Sequence, residues 1–133
     1  LFRTALEAGF PILERYNHAW NVPKYDWPYE MNLVDAAYLT VPKVDLRFVN
    51  DLDYPVLFKT ELWRDNDYEY QKLTLYTNPK AKKREVTLTN FKVWDVEIPN
   101  SIFKGSFDRI VKQDGEVLRT DNWYSHYTLV YGT

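Results

Sequence analysis

The sequence predicts an α+β fold, in which a short N-terminal helix is followed by a mainly antiparallel β array of about six to eight strands. Residues 1–8 carry apolar side chains at helical spacing, whereas apolar and polar residues alternate in several segments from Val44 onward. Asp114-Gly115, the favoured pair for a type I′ turn, separates two of these segments. A helix ahead of strands joined by short turns is typical of an α+β domain.

The helix has a clear apolar face and a clear end. Phe2, Ala5 and Leu6 fall on one face, and the residues between them are polar or charged. Gly9 suits the position just after a helix, where the backbone turns left-handed, and Pro11 cannot continue the helix. We therefore expect the helix to end at residue 8 or 9.

The alternating segments are bounded by turn residues, and this pattern predicts strands. Residues 50–55 supply turn chemistry, so the chain is expected to return along 56–60. Asp65-Asn66-Asp67 and Thr77-Asn78-Pro79 predict further turns. The predicted strands cover residues 12–16, 44–49, 56–60, 68–75, 85–89, 107–112 and 116–120.

The composition limits the classes of function. A length of 133 residues suits one domain, and we divide it into a core at 1–100 and a C-terminal β-hairpin extension at 101–133 that packs on or follows the core. A net charge of −2 argues against nucleic-acid binding by a broad basic surface. Without cysteine, this chain has no thiol nucleophile and no cysteine-based metal site. No apolar run approaches the roughly 20 residues of a membrane span.

A basic cluster follows Asn78-Pro79. It consists of Lys80, Lys82, Lys83 and Arg84. The cluster is interpreted as a solvated hairpin tip. The alternative is a contact with anionic wall polymer or phospholipid headgroups.

Three stretches resemble the VanW-type family. Residues 1–10, followed by 12–18, are similar to a helix that ends in Ala-Gly and runs into a Glu-Arg-x-x-His strand. Residues 44–51 with 54–57 are similar to the family's Asp-Leu-(Arg/Lys)-Phe-x-Asn-(Asn/Asp) segment followed by Tyr-Pro-(Ile/Val), and this match is the most specific. Residues 114–117 with 125–127 resemble the tail that often follows the core. Between residues 24 and 40 the likeness is lost.

The resemblance implies a location more firmly than a reaction. Members of the family are bacterial and envelope-associated, often accompany peptidoglycan-binding modules, and include a namesake in a glycopeptide-resistance cluster. We therefore expect an extracytoplasmic protein of the cell envelope. Family members carry a Gly-rich segment with Cys-Gln and Ser-Thr-Thr just before the helix. This chain is expected to begin where that motif ends, so it is not expected to be an enzyme alone.

His18 is the candidate catalytic residue. A cysteine at a helix N-terminus has a lowered pKa, and a histidine on a neighbouring strand can act as its base, oriented by an acid such as Asp26, Asp35 or Asp45. Papain-like and transglutaminase-like enzymes use this arrangement, and here the nucleophile would lie upstream of Leu1. The alternative is a structural histidine that is hydrogen-bonded beside the following loop.

Other polar pairs have weaker support. Asp45 and Arg47 lie one strand period apart and therefore point to the same face, where they can pair with each other or with a ligand. Asp35 and Asp45 are a conceivable carboxylate pair for glycan hydrolysis, but nothing in the sequence fixes their separation. His18 and His126 are the only histidines and have no metal-ligand spacing, so we expect no metal and no cofactor.

An aromatic loop is the candidate ligand-binding surface. Exposed rings can bind saccharides by covering their apolar C–H faces, and Arg47 can assist; the alternative is that the rings cap the core. The rings belong to Trp20, Tyr25, Trp27 and Tyr29.

These features together favour an accessory or binding module at the bacterial cell wall, with peptidoglycan or another wall glycan as ligand. One alternative is a fragment of a cysteine-dependent enzyme that acts on peptidoglycan peptides. Another is a structural subunit of a surface assembly, with protein partners against the aromatic loop.

Overall fold

The computed structural model describes residues 1–17, 20–21, 33, 39, 43–97 and 102–130. These residues confirm a mainly antiparallel β fold with a short N-terminal helix. Five strands have ten residues or more, and four have two or three, so the number of strands depends on whether the short pairs are counted. The elements are α1 (Phe2–Glu7), β1 (Ile12–Glu14), β2 (Trp20–Asn21), β3 (Arg47–Phe48), β4 (Val56–Asp65), β5 (Tyr68–Thr77), β6 (Arg84–Glu97), β7 (Ile102–Gln113), β8 (Glu116–Tyr127) and β9 (Leu129–Val130).

The strands of the described residues form four sheets. The largest is antiparallel, in the order β6-β7-β8, and the hairpin β4-β5 forms a sheet of its own. Two short pairs complete the set: β1 pairs with β3 antiparallel, and β2 pairs with β9 parallel. Within the hairpin and within the large sheet, consecutive strands are therefore neighbours, as expected for strands joined by tight turns, whereas β5 and β6 belong to different sheets.

Helix α1 ends as predicted, in a Schellman motif. The Gly9 N–H donates to the Leu6 carbonyl at 3.1 Å, and the Phe10 N–H donates to the Ala5 carbonyl at 3.2 Å. Gly9 takes a φ of 76°, which glycine adopts at little cost. The motif satisfies carbonyls at the end of the helix and turns the chain toward β1.

The core lies between α1 and the central strand β7. Alternate residues of β7 are buried, from Phe103 to Val111. Gly105 belongs to this face, and a Cβ there would come within 2.6 Å of the Leu33 side chain, so the glycine makes room for Leu33. The buried apolar cluster consists of Phe2, Leu6, Leu33, Phe103, Phe107 and Tyr127.

The predicted return of residues 56–60 along 44–49 is wrong. Strand β3 is only Arg47–Phe48 and pairs with β1, whereas β4 pairs with β5. Local side chains explain the difference. The Asp45 carboxylate accepts the Leu46 N–H at 2.8 Å, and the Asn50 side chain bonds to the backbone of Leu52 and Tyr54. Such bonds compete with strand pairing and hold this segment as a loop.

The other predicted turns are confirmed, and the strands beside them are longer than predicted. Asn66 takes a φ of 54° in the two-residue turn between β4 and β5, and Asp114 and Gly115 both take positive φ between β7 and β8. Strand β6 extends from Arg84 to Glu97 through two register shifts. Bulges such as these bend a strand and increase its twist.

The core draws on both sides of the predicted boundary at residue 100. Phe2 and Leu6 come from the N-terminal part, and Phe103, Phe107 and Tyr127 come from beyond the boundary. The division into a core and an extension stays a prediction. Among the described residues, no helix is both long and apolar enough to cross a membrane.

Candidate functional site

A buried arginine joins α1 to the large sheet. Arg109 is fully buried on β7, and its Nε and Nη2 donate to the two Asp121 carboxylate oxygens at 3.0 and 2.6 Å. Its Nη1 donates to the Leu6 carbonyl at 3.0 Å, and the Trp123 indole N–H donates to Asp121 at 2.9 Å. Bidentate geometry with further hydrogen bonds is what a buried guanidinium requires. Arg109 thus binds the end of α1 to β7 and β8.

Two further arginines hold the turn after the helix. Arg84 and Arg119 donate to the Gly9 carbonyl at 3.2 and 3.1 Å. Both also pair with the Asp51 carboxylate, Arg84 at 2.7 Å. Arg84 additionally donates from Nε to Gln113 at 3.2 Å. One carboxylate and one carbonyl therefore connect residues 9, 51, 84 and 119, which belong to four separate parts of the chain.

Arg84 and Arg119 lower the pKa of Asp51. Burial raises the pKa of this carboxyl, but the hydrogen bonds and positive charges of Arg84 and Arg119 outweigh burial and hold the pKa below its ordinary value. Asp51 in the folded chain therefore keeps its negative charge to a lower pH than an isolated aspartate does. The Asp51 carboxylate pairs with both arginines and therefore links its loop to strands β6 and β8 of the large sheet.

Arg15, from the Glu-Arg segment that resembles the family motif, performs a similar task at the other end of the helix. It donates to Ser125 Oγ at 2.9 Å and to the Leu33 carbonyl at 3.2 Å, and its guanidinium lies 4.7 Å from the Phe2 ring centroid. Burial lowers the pKa of Arg15, and the interaction with Tyr127 opposes this shift. The motif arginine connects β1 to β8 and to the core.

The β4-β5 hairpin differs from this interior because much of it faces solvent. Its register places Trp63 opposite Tyr70 and Glu61 opposite Lys72 on one face. We call this the aromatic face. It is mostly solvent-exposed, whereas Phe58, Leu73 and Leu75 on the other face are partly buried. The aromatic face consists of Leu57, Lys59, Glu61, Trp63 and Asp65 of β4 with Tyr68, Tyr70, Lys72, Thr74 and Tyr76 of β5.

Trp63 and Tyr70 are stacked at the centre of the exposed half of the hairpin. Their ring centroids are 5.5 Å apart and their planes differ by 8°. Trp63 is 48% exposed and Tyr70 is 43% exposed. Each ring covers part of the other and leaves apolar surface in water, beside the charged groups of Glu61 and Lys72. A rigid aromatic surface next to hydrogen-bonding groups can hold a ligand that has both apolar and hydroxyl surface.

Most of the site residues predicted from sequence lie outside the described residues. His18, Tyr25, Trp27 and Tyr29 are among them, as is Asp35, and only the backbone of Trp20 is described. The catalytic role of His18 and the aromatic-loop platform both stay predictions.

Asp45 and Arg47 are described. The Asp45 carboxylate accepts a hydrogen bond from the N–H of the next residue, Leu46. Arg47 Nη1 lies 3.8 Å from Glu14 Oε2 on the adjacent strand β1. The Arg47 side chain is 63% exposed. The partner of Arg47 in the structure is therefore Glu14 and not Asp45. The assigned roles of Asp45 in catalysis and of Arg47 in ligand binding stay predictions.

The basic cluster divides into two parts. Lys82 and Lys83 are exposed, as predicted for a hairpin tip, but the Arg84 side chain is only 7% exposed. The solvated interpretation is wrong for Arg84, because its guanidinium turns inward to Asp51, Gln113 and Gly9.

Sequence reasoning missed the arginine links and the aromatic face. A signal for Arg109 existed: it occupies one position in the alternating series Phe103, Gly105, Phe107, Arg109, Val111. A charge among inward positions indicates a buried ion pair. The pairing of Trp63 with Tyr70 depends on a turn at Asn66-Asp67, and both turn and alternation were visible in the sequence.

In the described residues, no group of three or more histidine, cysteine or acidic side chains could hold a metal ion.

Comparison with known proteins identifies the family of this chain. Searches of curated proteins and of solved structures found no match. A family model described as "VanW like protein" matches residues 1–73, which include α1, the Asp51 loop and the hairpin tip with Trp63 and Tyr70. The match covers more than half of the 133 residues, and the chain therefore belongs to the VanW-like family.

Proposed function

We propose that this chain is an accessory binding module of the bacterial cell envelope that holds wall glycan on the aromatic face of the β4-β5 hairpin. The observation that carries the proposal is the stacked, half-exposed pair of Trp63 and Tyr70. Large rings normally lie in a core or against a partner, and here two stacked rings stay about half exposed on a hairpin with ten register pairs.

Wall glycan fits the chemistry of this face. A pyranose ring presents apolar C–H groups that can cover an aromatic ring, and its hydroxyl and amide groups can bond to Glu61 and Lys72 beside the rings. The charged groups of the aromatic face, with Glu61 and Lys72 among them, can also discriminate between the peptide and sugar parts of peptidoglycan. Membership of the VanW-like family supports an envelope location, as the sequence resemblance implies.

The interior supports a binding role over a catalytic one. Arg109, Arg84 and Arg119 are engaged with Asp121, Asp51 and backbone carbonyls. Such groups hold the helix against the sheet, and the helix in turn contacts strand β5 of the hairpin. The hairpin then presents its rings from a rigid support.

Sedimentation with purified peptidoglycan tests the proposal. Trp63→Ala is expected to lower the affinity roughly tenfold, which corresponds to about 1.4 kcal/mol. Trp94→Ala is the matched control, because Trp94 is also partly exposed and also contacts a tyrosine, Tyr124, but lies on the large sheet. Equal losses for Trp63→Ala and Trp94→Ala, or no retention of the unaltered chain, would contradict the proposal.

A further inference from the structure

The free edge of β4 has the properties of a strand that pairs with another strand. Among the described residues β4 is hydrogen-bonded only to β5, and its ten register pairs run without a bulge. Edge strands are normally protected by bulges, proline, short length or charged side chains. Strand β6, at an edge of the large sheet, has two register shifts of this kind. Strand β4 has ten residues with neither a bulge nor a proline, and charged side chains, with Lys59 and Glu61 near its middle, are the protection that it carries.

The turn determines which backbone groups face the free edge. Asp65 and Tyr68 flank a two-residue turn and form the first pair, which is hydrogen-bonded in such turns. Hydrogen-bonded and non-bonded pairs alternate along an antiparallel ladder. The even-numbered residues of β4, with Thr60 at their centre, therefore direct their N–H and C=O groups away from β5.

We propose that β4 pairs antiparallel with β4 of a second copy of this chain, about a two-fold axis at Thr60. A two-fold axis perpendicular to the sheet leaves each side chain on its own face. Odd-numbered residues of β4 therefore lie opposite odd-numbered residues of the second copy, and even-numbered residues lie opposite even-numbered ones. Within one chain, Lys59 Nζ already lies 3.6 Å from Glu61 Oε1. Symmetry about Thr60 adds two pairs between the copies, Lys59 opposite Glu61 and Glu61 opposite Lys59, so that the four charges alternate in sign across the interface.

The neighbouring registers are unfavourable. Symmetry about residue 59 places Lys59 against its own copy, and symmetry about residue 61 does the same for Glu61; like charges directly opposite destabilise a sheet. The Thr60 register also uses nearly the whole strand. Its remaining pairs are Val56 with Arg64, Leu57 with Trp63, and Phe58 with Leu62.

The register also extends the apolar rows of the hairpin. Within one chain Tyr70 lies opposite Trp63, and Tyr76 lies opposite Leu57. Pairing Trp63 with Leu57 of the second copy joins these into one row of four large side chains across four strands. Leu57 and Trp63 are 66% and 48% exposed in the single chain, so this contact would cover surface that is now in water.

The other edge of the hairpin does not offer the same match. Strand β5 contacts α1. Its two charged residues, Glu69 and Lys72, differ in parity and therefore cannot lie opposite each other about a two-fold axis. Charge complementarity thus selects β4 and selects a second copy as its occupant.

The pairing would place two binding surfaces on one face. The two Trp63 side chains would be six residues apart along the strands, which is roughly 20 Å. A polymer with repeated units could then engage both. The dimer itself does not depend on glycan binding, and either proposal can fail without the other.

Charge-swap variants test the dimer by sedimentation velocity over a range of concentrations. The unaltered chain is expected to show a monomer–dimer equilibrium. Lys59→Glu alone and Glu61→Lys alone each create two like-charge pairs and are expected to dimerise at least tenfold more weakly. An equimolar mixture of the two variants restores two opposite-charge pairs and is expected to dimerise like the unaltered chain. A folding defect would not be corrected by mixing.

Disulfide trapping tests the position of the axis independently. Thr60→Cys is expected to form a covalent dimer on mild oxidation, because hydrogen-bonded pairs have Cα atoms about 5.5 Å apart, within disulfide range. The chain has no other cysteine. Thr87→Cys, exposed on β6, is the control and is expected to remain monomeric. A monomeric unaltered chain, no recovery on mixing, or equal trapping at 60 and 87 would overturn the proposal.

Discussion

Single charged residues connect the elements in the interior of this fold. Arg109 occupies a position on β7 where its neighbours on the same face are Phe107 and Val111, and it is fully buried. Desolvation of a guanidinium is costly unless the charge is paired and its donors are satisfied. Asp121 and the Leu6 carbonyl supply these partners, so one residue links helix, central strand and neighbouring strand.

Removal of the Asp121 carboxylate should therefore be strongly destabilising. Asp121→Ala leaves the buried Arg109 charge uncompensated, and we expect the free energy of unfolding to fall by about 3–5 kcal/mol. Chemical denaturation measures this value. The control is Glu69→Ala, which breaks the exposed pair with Arg64 and should cost less than about 1 kcal/mol. Similar losses for the two variants would show that Arg109 is not buried as described.

Asp51 gives the fold an acid-sensitive link. Its pKa is lower in the folded chain than its ordinary value of 3.8, so the unfolded chain binds a proton first as the pH falls. The stabilisation is complete above about pH 4 and is lost as the pH falls through the folded pKa. We expect Asp51→Asn to lower stability at neutral pH and to flatten the acid limb of a plot of unfolding free energy against pH.

Asp53→Asn is the control for this pH dependence. It removes a nearby carboxylate that is separate from the contact between Asp51 and the two arginines. An acid limb equally steep in the Asp51→Asn variant and in the unaltered chain would contradict the role given to Asp51.

Among the secondary-structure elements, the end of α1 could be predicted from a single residue, Gly9. Gly9 was predicted to follow the helix, and the Schellman motif places it there with positive φ. The same residue has a second role that the sequence does not reveal. A Cβ on Gly9 would come within 2.9 Å of Val111 Cγ1, so the glycine also allows close packing of the turn on β7.

A pair of glycine variants separates these two roles. Gly115 has a similar positive φ, but a Cβ there would meet nothing within 4 Å. Gly115→Ala should therefore report backbone strain alone, about 1 kcal/mol. Gly9→Ala should cost roughly 1–3 kcal/mol more, because it adds overpacking. Thermal or urea unfolding measures both, and equal costs would show that Val111 yields without penalty.

Sequence reasoning located elements well when their signals were local. The helix end at Gly9 and the hairpin turn at Asp114-Gly115 follow from the backbone preferences of the residues themselves. Pairing partners were harder to predict. The loop at Asn50 has turn chemistry and forms the expected side-chain bonds to its own backbone, but β3 pairs with the distant strand β1 and β4 pairs with β5. Which strands pair depends on contacts between distant segments, and periodicity carries no information on those.

At the scale of the whole molecule, the VanW-like chain combines a fixed interior with an exposed hairpin. The segment matched by the family model contains Gly9 and Asp51, and their arginine partners, Arg84 and Arg119, lie beyond it. The aromatic face was not predicted as a site, because sequence alternation alone left the inner face of β5 undetermined. Leu73 and Leu75 pack inward, and this leaves Tyr68, Tyr70 and Tyr76 outward.

The five tryptophan indole N–H signals offer a direct test of the proposed binding of wall glycan at Trp63 and Tyr70. The measurement is an NMR titration of the chain with soluble peptidoglycan fragments, with each indole signal assigned by substitution. Glycan binding at the aromatic face predicts that the Trp63 signal shifts in a saturable manner while the Trp94 signal does not. Saturable binding that leaves the Trp63 signal unmoved, or no binding at all, would contradict it.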